Sequence, residues 1–279
     1  MSIQVGLRGK AWFEALTGKN SPMAGDPDSV LTADVKIGED TARFLCVVPN
    51  PQARFPCARR GEVGLEEAYT LAARVNEVIE QNTSGDKQPI SARPIIAIVD
   101  VKSQAYGRRE ETAAIFLACA TAAEAYASAR MKGHPVITLV VGQAISGGFL
   151  THGYQANRIL AFDDSDVVIH AMHKEAAARI TLRTVAELDR LGHEIAPLSY
   201  DVRDYAKLGL LHKLLHVEDP DKPARATVAQ VQKELIDAVA DAQAGSTDLG
   251  NRLTSKAARE TRKASVAARA HIEEQWMKA

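Results

Sequence analysis

Ser146-Gly147-Gly148 is the segment of this sequence best suited to chemistry that needs no reactive side chain. It follows the apolar run Val136 to Val141 and the step Gly142-Gln143-Ala144-Ile145, and it leads through Phe149 into a short predicted helix. Paired glycines let a ligand or another backbone come close, and the free N–H groups of a helix start gather an anion. Amides of this kind stabilise an oxyanion, and losing one costs about 2.7–4 kcal/mol of barrier. A second loop has the right origin to join them. The run Pro94 to Val101 ends at Asp100 and Val101 and opens into Lys102-Ser103-Gln104-Ala105-Tyr106-Gly107-Arg108-Arg109-Glu110-Glu111. In a parallel sheet, loops that follow neighbouring strands lie at one edge, so their amides can converge on one ligand oxygen.

The reactive side chains nearby are weaker candidates. A nucleophilic Ser146 needs a base within hydrogen-bond reach; His152, His170, His173 and His193 are the candidates. The segment lacks the Gly-x-Ser-x-Gly elbow, so helix capping or a substrate hydrogen bond is the expected role of Ser146. His170 and His173 have helical i, i+3 spacing, yet Asp166 to His170 reads as a strand and no carboxylate or Cys completes a metal set. Arg108 and Arg109 read as an exposed loop pair, and Lys132 lacks the flanking context of a biotin acceptor. Cys46, Cys57 and Cys119 are an odd number at wide spacing, which indicates neither a disulfide framework nor a zinc site and fits a cytoplasmic protein.

The elements that must position these loops are legible along the chain. Val30 to Ile37 and Thr41 to Val48 are β-rich runs around Gly38, Glu39 and Asp40, a hairpin pattern. A Pro- and Arg-containing loop covers Pro49 to Gly64. Leu65, Ala68, Leu71, Ala72, Val75, Val78 and Ile79 then recur at helical spacing, with Glu66 and Glu67 in the favourable first turn. Asn82 to Gln88 reads as a polar breaker. Pro94 to Val101 is an apolar run up to Asp100 near its end, as a strand covered on both faces should be. A long Ala-rich helix is predicted from about Glu110 to Met131, ended by Gly133 and Pro135. Val136 to Val141, Asn157 to Phe162 and Asp166 to His170 read as further strands, giving a βαβα unit with a right-handed crossover. From Lys174 the pattern is helical, apart from a short apolar run at Leu208 to Val217, and the last stretch is two helical segments split near Gly245 and Gly250.

Composition narrows the function classes. The 279 residues are 46% hydrophobic and 25% charged with a net charge of −1, so a packed core is available and nucleic acid is not an expected partner. The long uncharged stretch from Gly133 to Asn157 is interrupted by Pro135, Gln143, Ser146 and several glycines, so it reads as strand, turn and helix rather than a membrane span.

The two loops with an Ala-rich helix between them resemble the crotonase-like fold, and more narrowly the carboxyltransferase subunits of acyl-CoA carboxylases and decarboxylases. Those subunits carry an Asp-…-Gly-Ala-Tyr-…-Glu-Glu loop and then Gly-Glu-Gly-Gly-Ser-Gly-Gly-Ala. Here Asp100-…-Gln104-Ala105-Tyr106-Gly107-…-Glu110-Glu111 and Gly142 to Phe149 stand in those places, and the match is good over Pro94 to Met172. Gln143-Ala144-Ile145 replaces the Glu-Gly-Gly portion, which points to a specialised member without ordinary biotin-carboxyl transfer. The whole chain looks most like the gamma subunits of biotin-independent malonate decarboxylases. The resemblance implies an α/β ClpP/crotonase spiral of ββα units at residues 1–217, with a helical C-terminal extension at 218–279. It implies main-chain stabilisation by Gly147, Gly148 and either Gln104 or Ala105, with Gln143, Ser146 and Tyr106 at the substrate. It further implies a homologous beta subunit, an acyl carrier protein subunit and an acyl-carrier transferase subunit as partners. No metal or cofactor is expected in this chain; a dephospho-coenzyme-A-derived prosthetic group belongs to the carrier. A serine hydrolase of the same superfamily and a non-catalytic scaffold are the alternatives.

Overall fold

In the computed structural model, which describes residues 7–83 and 92–278, helix α1 (Leu7–Thr17) precedes an antiparallel hairpin of β1 (Val30–Ile37) and β2 (Asp40–Val47). A loop with one 3₁₀ turn at Pro56–Ala58 leads to α2 (Leu65–Thr83) and then β3 (Ile95–Val101). The polar stretch at Asn82 to Gln88 is helical as far as Thr83 and otherwise lies outside the described residues. After β3 come α3 (Arg108–Thr112), α4 (Ile115–Met131), β4 (Val136–Ile145), α5 (Ser146–Thr151), β5 (Arg158–Phe162) and β6 (Val168–His170). Helices α6 (Lys174–Ile180), α7 (Val185–Glu194) and α8 (Val202–Lys207) follow, then β7 (Lys213–Leu215). The chain closes with α9 (Arg225–Ala244), α10 (Asn251–Thr254), α11 (Lys256–Thr261) and α12 (Lys263–Trp276).

One sheet runs β1-β2-β3-β4-β5-β7, parallel from β2 onward, and β6 pairs with β4 off that path. Strand β4 therefore serves two neighbours in succession. Its first half pairs with β5 at Ile137 to Val140, and its last three residues pair with β6 at Gln143 to Ile145. This continuation is why β4 is longer than the apolar run Val136 to Val141. The predicted long helix is also divided: Ala114 takes a left-handed φ of 60° between α3 and α4, and no Gly or Pro announces the break.

All seven residues of β3 are buried, Asp100 among them, matching a run that is otherwise apolar. Each isoleucine there is worth about 1.5–3 kcal/mol relative to exposure. Helices α2 and α4 pack directly on each other and on the sheet, while α1 packs on β2 and β3 with α9 beside it. Val231, Leu235 and Ala238 of α9 join the same core, so the C-terminal helical stretch contributes to it. Helix α1 is tied to distant chain. Trp12 packs edge-on to Phe162 at 4.6 Å and donates from Nε1 to the Pro220 carbonyl at 2.7 Å. The buried Arg8 guanidinium bonds Asp221 and Asp164 and reaches the Val141 carbonyl of β4 at 3.1 Å. Helices α6 and α7 have a small cluster of their own, Ala177, Ala178 and Leu188.

Candidate active site

The site starts from a single acid in an apolar strand. Asp100 is buried, and its two oxygens accept the N–H of Gly9 in α1 at 3.1 Å and of Gln143 in β4 at 3.0 Å. Pairing between β3 and β4 changes register here: Val99 faces Val140, but Val101 faces Ala144. The extra residues on β4 form an irregularity filled by the Asp100 carboxylate. The end of β4, and with it the start of α5, is therefore held at the tip of β3. The signal was present in the sequence as the lone acid of Pro94 to Val101, but its ladder role was not legible.

The two glycine-bearing loops do meet. A Cβ built on Gly148 would lie 2.5 Å from the Ser103 carbonyl oxygen and 3.1 Å from the Gln104 nitrogen, so only glycine permits this backbone approach. Gly147 lies beneath the Gln104 side chain, and a Cβ there would run into its amide oxygen. Gly147 and Gly148 are in the first turn of α5, where N–H groups have no partner within the helix.

Of the two alternatives for the first loop's donor, Gln104 and Ala105, the second has its amide engaged within the chain. The Ala105 N–H donates to the Val63 carbonyl at 2.8 Å, the Val63 N–H donates to the Ser103 carbonyl at 2.9 Å, and Ala105 is fully buried. This bridge from the Pro49–Gly64 loop commits the Ala105 amide and corrects its assignment as an oxyanion donor. Between its two hydrogen bonds, the Gln104 N–H takes no part in the bridge. The Gln104 N–H and the first-turn amides of Gly147 and Gly148 lie outside this bridge. Val63 was missed by the sequence reading, because a single isolated bridge leaves no periodic pattern.

Ser146 is the first residue of α5, buried, with φ of +59°. A serine held in this region is strained by about 1–3 kcal/mol. Its Oγ does not cap the helix, contrary to one expectation; it pairs with the Tyr106 hydroxyl at 2.7 Å. No imidazole among the described residues bonds it. His152 is fully buried, accepts the Tyr126 hydroxyl at Nδ1 (3.0 Å) and reaches the Ile98 carbonyl with Nε2 (3.0 Å). Burial lowers its pKa to about 4, so it stays neutral. His170 ends strand β6, as the strand reading of that run implies, His173 precedes α6 and His193 lies in α7, so His170 and His173 share no helical face. Gln143 sits on β4; its amide is taken by Asp100, and its side-chain oxygen is buried with no partner among the described residues. Arg108 and Arg109 are exposed at the start of α3, and Cys119 packs against the core.

Beyond Ser146 lies a cavity of about 710 Å³ with mostly apolar walls, including Phe149, Leu150, Ile169, Leu198 and Leu208. His170, whose Cα faces Ile145 across the β4–β6 pair, lines the same cavity as Ser146. Tyr106, Phe116, Leu117 and Leu150 are large side chains more than half exposed.

A parallel sheet whose adjacent strand ends bring two main-chain amide sets together is the arrangement of a crotonase-like fold. The family model of the malonate decarboxylase gamma subunit matches residues 58–276, and the chain belongs to that family. It is 49% identical to a chain of the Pseudomonas malonate decarboxylase hetero-tetramer in complex with coenzyme A, over 96% of this chain and 99% of that one, with a TM-score of 0.90. Against the Pseudomonas malonate decarboxylase MdcD-MdcE hetero-dimer the values are 48%, 96%, 99% and 0.87. It is also 37% identical over 139 residues to the malonyl-S-ACP:biotin-protein carboxyltransferase MADD of Malonomonas rubra. That match spans 50% of this chain and about half, 47%, of the curated relative. Transcarboxylase 12S, at 18% identity over 80% of this chain and 37% of its own with a TM-score of 0.58, shares the fold.

Proposed function

We propose that this chain is a catalytic subunit of malonate decarboxylase, acting with a homologous beta subunit on a malonyl thioester borne by an acyl carrier protein. The carrier's dephospho-coenzyme-A-derived group arrives as part of the substrate, loaded by an acyl-carrier transferase subunit, and the reaction is cytoplasmic. Decarboxylation breaks the C–C bond to the carboxylate, and its electron pair flows into the thioester as an enolate. The barrier falls when the enolate oxygen is met by fixed donors and the carboxylate is held out of the carbonyl plane. The Gln104, Gly147 and Gly148 amides supply the donors from this chain, while Tyr106, Ser146 and the Gln143 end of β4 shape the substrate surface. The exposed Tyr106, Phe116, Leu117 and Leu150 suit burial by the beta subunit.

The observation that carries this reading is the contact of Gly148 with the Ser103–Gln104 backbone, which brings amides of two loops to one edge. The test is carbon dioxide release from a malonyl thioester with this chain alone, the beta subunit alone and the two mixed. Release only from the mixture is the expected result. Full activity of the beta subunit alone reduces this chain to a scaffold, and no release from a demonstrably formed complex refutes decarboxylation.

A further inference from the structure

We propose that His170 is a further substrate-contacting residue, an uncharged imidazole that holds the malonyl carboxylate at the mouth of the apolar cavity beside Ser146. The proposal rests on the decarboxylation reading above. Its ground is how firmly the ring is fixed and how little charge surrounds the place it faces. The ring stacks on Tyr200 with centroids 3.8 Å apart and planes 15° from parallel. The Lys174 ammonium lies 5.0 Å from the Tyr200 ring centroid and pairs with Asp189. Tyr200 in turn donates its hydroxyl to the Met172 carbonyl at 2.9 Å. The Met172 N–H donates to Nδ1 of His170 at 3.3 Å, and the Met172 carbonyl, which accepts the Tyr200 hydroxyl, lies 3.1 Å from the same nitrogen. We assign the neutral ring its proton on Nε2, which has no protein partner among the described residues.

The register Ile145–His170 puts this ring one strand away from the residue that precedes Ser146, and both side chains line the cavity. The cavity wall otherwise offers one formal cation, Arg262, whose Nη1 is engaged by the Arg252 carbonyl at 3.2 Å. This polarity suits a carboxylate that must lose its charge. A cation would bind the ground-state carboxylate more tightly than the transition state, in which that charge is dispersing, and would slow the step. A neutral N–H orients the group without that cost, and the apolar walls receive carbon dioxide. Burial, with Lys174 adding to it, lowers the His170 pKa despite the opposing Met172 carbonyl, so the neutral form prevails near pH 7. The other titratable or charged groups around it are Tyr200, Lys174 with Asp189, Glu175 near Tyr200, Asp201 beside Val168 of the same strand, Tyr154 and Tyr205 in the cavity wall, and Arg262 across the cavity.

The test uses the complex of this chain with its beta subunit and S-malonyl-N-acetylcysteamine as probe, following carbon dioxide release from pH 5 to pH 8. Near pH 7.5 His170→Lys is expected to lose at least about tenfold in kcat with no rise in KM, and His170→Gln, which keeps a neutral N–H on a shorter and less firmly held side chain, is expected to lose several-fold, less than His170→Lys. Wild-type kcat should fall as pH drops below the ordinary histidine range, and His170→Gln should lack that acid limb. If His170→Lys fails to assemble, the comparison of acid limbs decides alone. Wild-type kinetics in His170→Lys, or an unchanged acid limb in His170→Gln, overturns the proposal while leaving the decarboxylase reading in place. An inactive wild-type complex removes both.

Discussion

Replacing Gly148 by alanine tests whether the meeting of the two loops carries the chemistry. The new Cβ would stand 2.5 Å from the Ser103 oxygen, 2.6 Å from the Ser103 carbonyl carbon and 3.1 Å from the Gln104 nitrogen. Comfortable contact for a carbon is about 3.5 Å, so the loops must part by about 1 Å. All three opposing atoms are backbone, and no side chain can swing aside. A misplacement of about 1 Å costs on the order of 100-fold in rate, equivalent to about 2.7 kcal/mol of barrier. Overpacking should also cost about 1–3 kcal/mol of stability. The assay is carbon dioxide release from a malonyl thioester by the complex with the beta subunit, with assembly checked by size exclusion and thermal unfolding run on each variant. Gly147→Ala is the internal control. Its Cβ meets only the flexible end of Gln104, so a loss of a few-fold is expected, and Gly147→Ala combined with Gln104→Ala should be no worse than Gln104→Ala alone. Intact Gly148→Ala complex with near wild-type kcat refutes the argument. So does a Gly147→Ala loss as large as that of Gly148→Ala.

Ser146→Ala removes only the hydrogen bond to Tyr106, worth about 0.5–1.5 kcal/mol. Activity should therefore stay within roughly tenfold, and a fluorophosphonate probe should not label the chain; abolition together with labelling would restore the serine hydrolase alternative. Asp100→Asn leaves one of the two N–H groups, Gly9 or Gln143, facing an amide NH₂, so chemical denaturation should show about 1–3 kcal/mol of lost stability; unchanged stability would deny Asp100 its place in the β4 irregularity. His152 is neutral in the fold with a pKa lowered from 6.5 to about 4 by burial. As pH falls, the unfolded chain takes up this proton first, so stability should drop between about pH 6.5 and pH 4 by about 3 kcal/mol. Urea titrations across that range should show the drop, and His152→Gln should flatten it.

The frame of this fold was written in local pattern. β1, β3, the start of β4, β5 and α2 lie within a residue or two of where apolar runs and helical spacing put them, because burial on both faces leaves a continuous signature in the inner strands and burial of one face leaves a helical period in α2. The break at Ala114 left none, since alanine is a good helix former and only tertiary context turns it left-handed. The extension of β4 through Ile145 was hidden for a similar reason: its partner β6 is three residues long, and Gly142 reads as a turn. At the site, glycine pairing revealed the close approach, but donor assignment depended on Val63, a contact made some 40 residues away in sequence that only the coordinates reveal. Gln104 and Ala105 are indistinguishable as sequence, yet one amide is spent and the other is not. The pairing of Ser146 with Tyr106, rather than with its own helix, is likewise a product of the left-handed turn at Ser146.

Helix α1 gives the molecule an order of events during synthesis. Trp12 bonds the Pro220 carbonyl 208 residues later, and Arg8 bonds Asp221 213 residues later. At roughly 5–20 residues per second, about 10–40 seconds separate emergence of the helix from emergence of its binding site. Contacts this distant in the chain also carry the largest loop-closure penalty, which places them late in folding. Through Gly9, the same helix holds the carboxylate that fixes the end of β4. The glycine edge therefore sets only after Pro220 and Asp221 have left the ribosome, and until then the nascent protein exposes the buried face of α1, centred on Trp12, Phe13 and Leu16, to whatever else is in the cell.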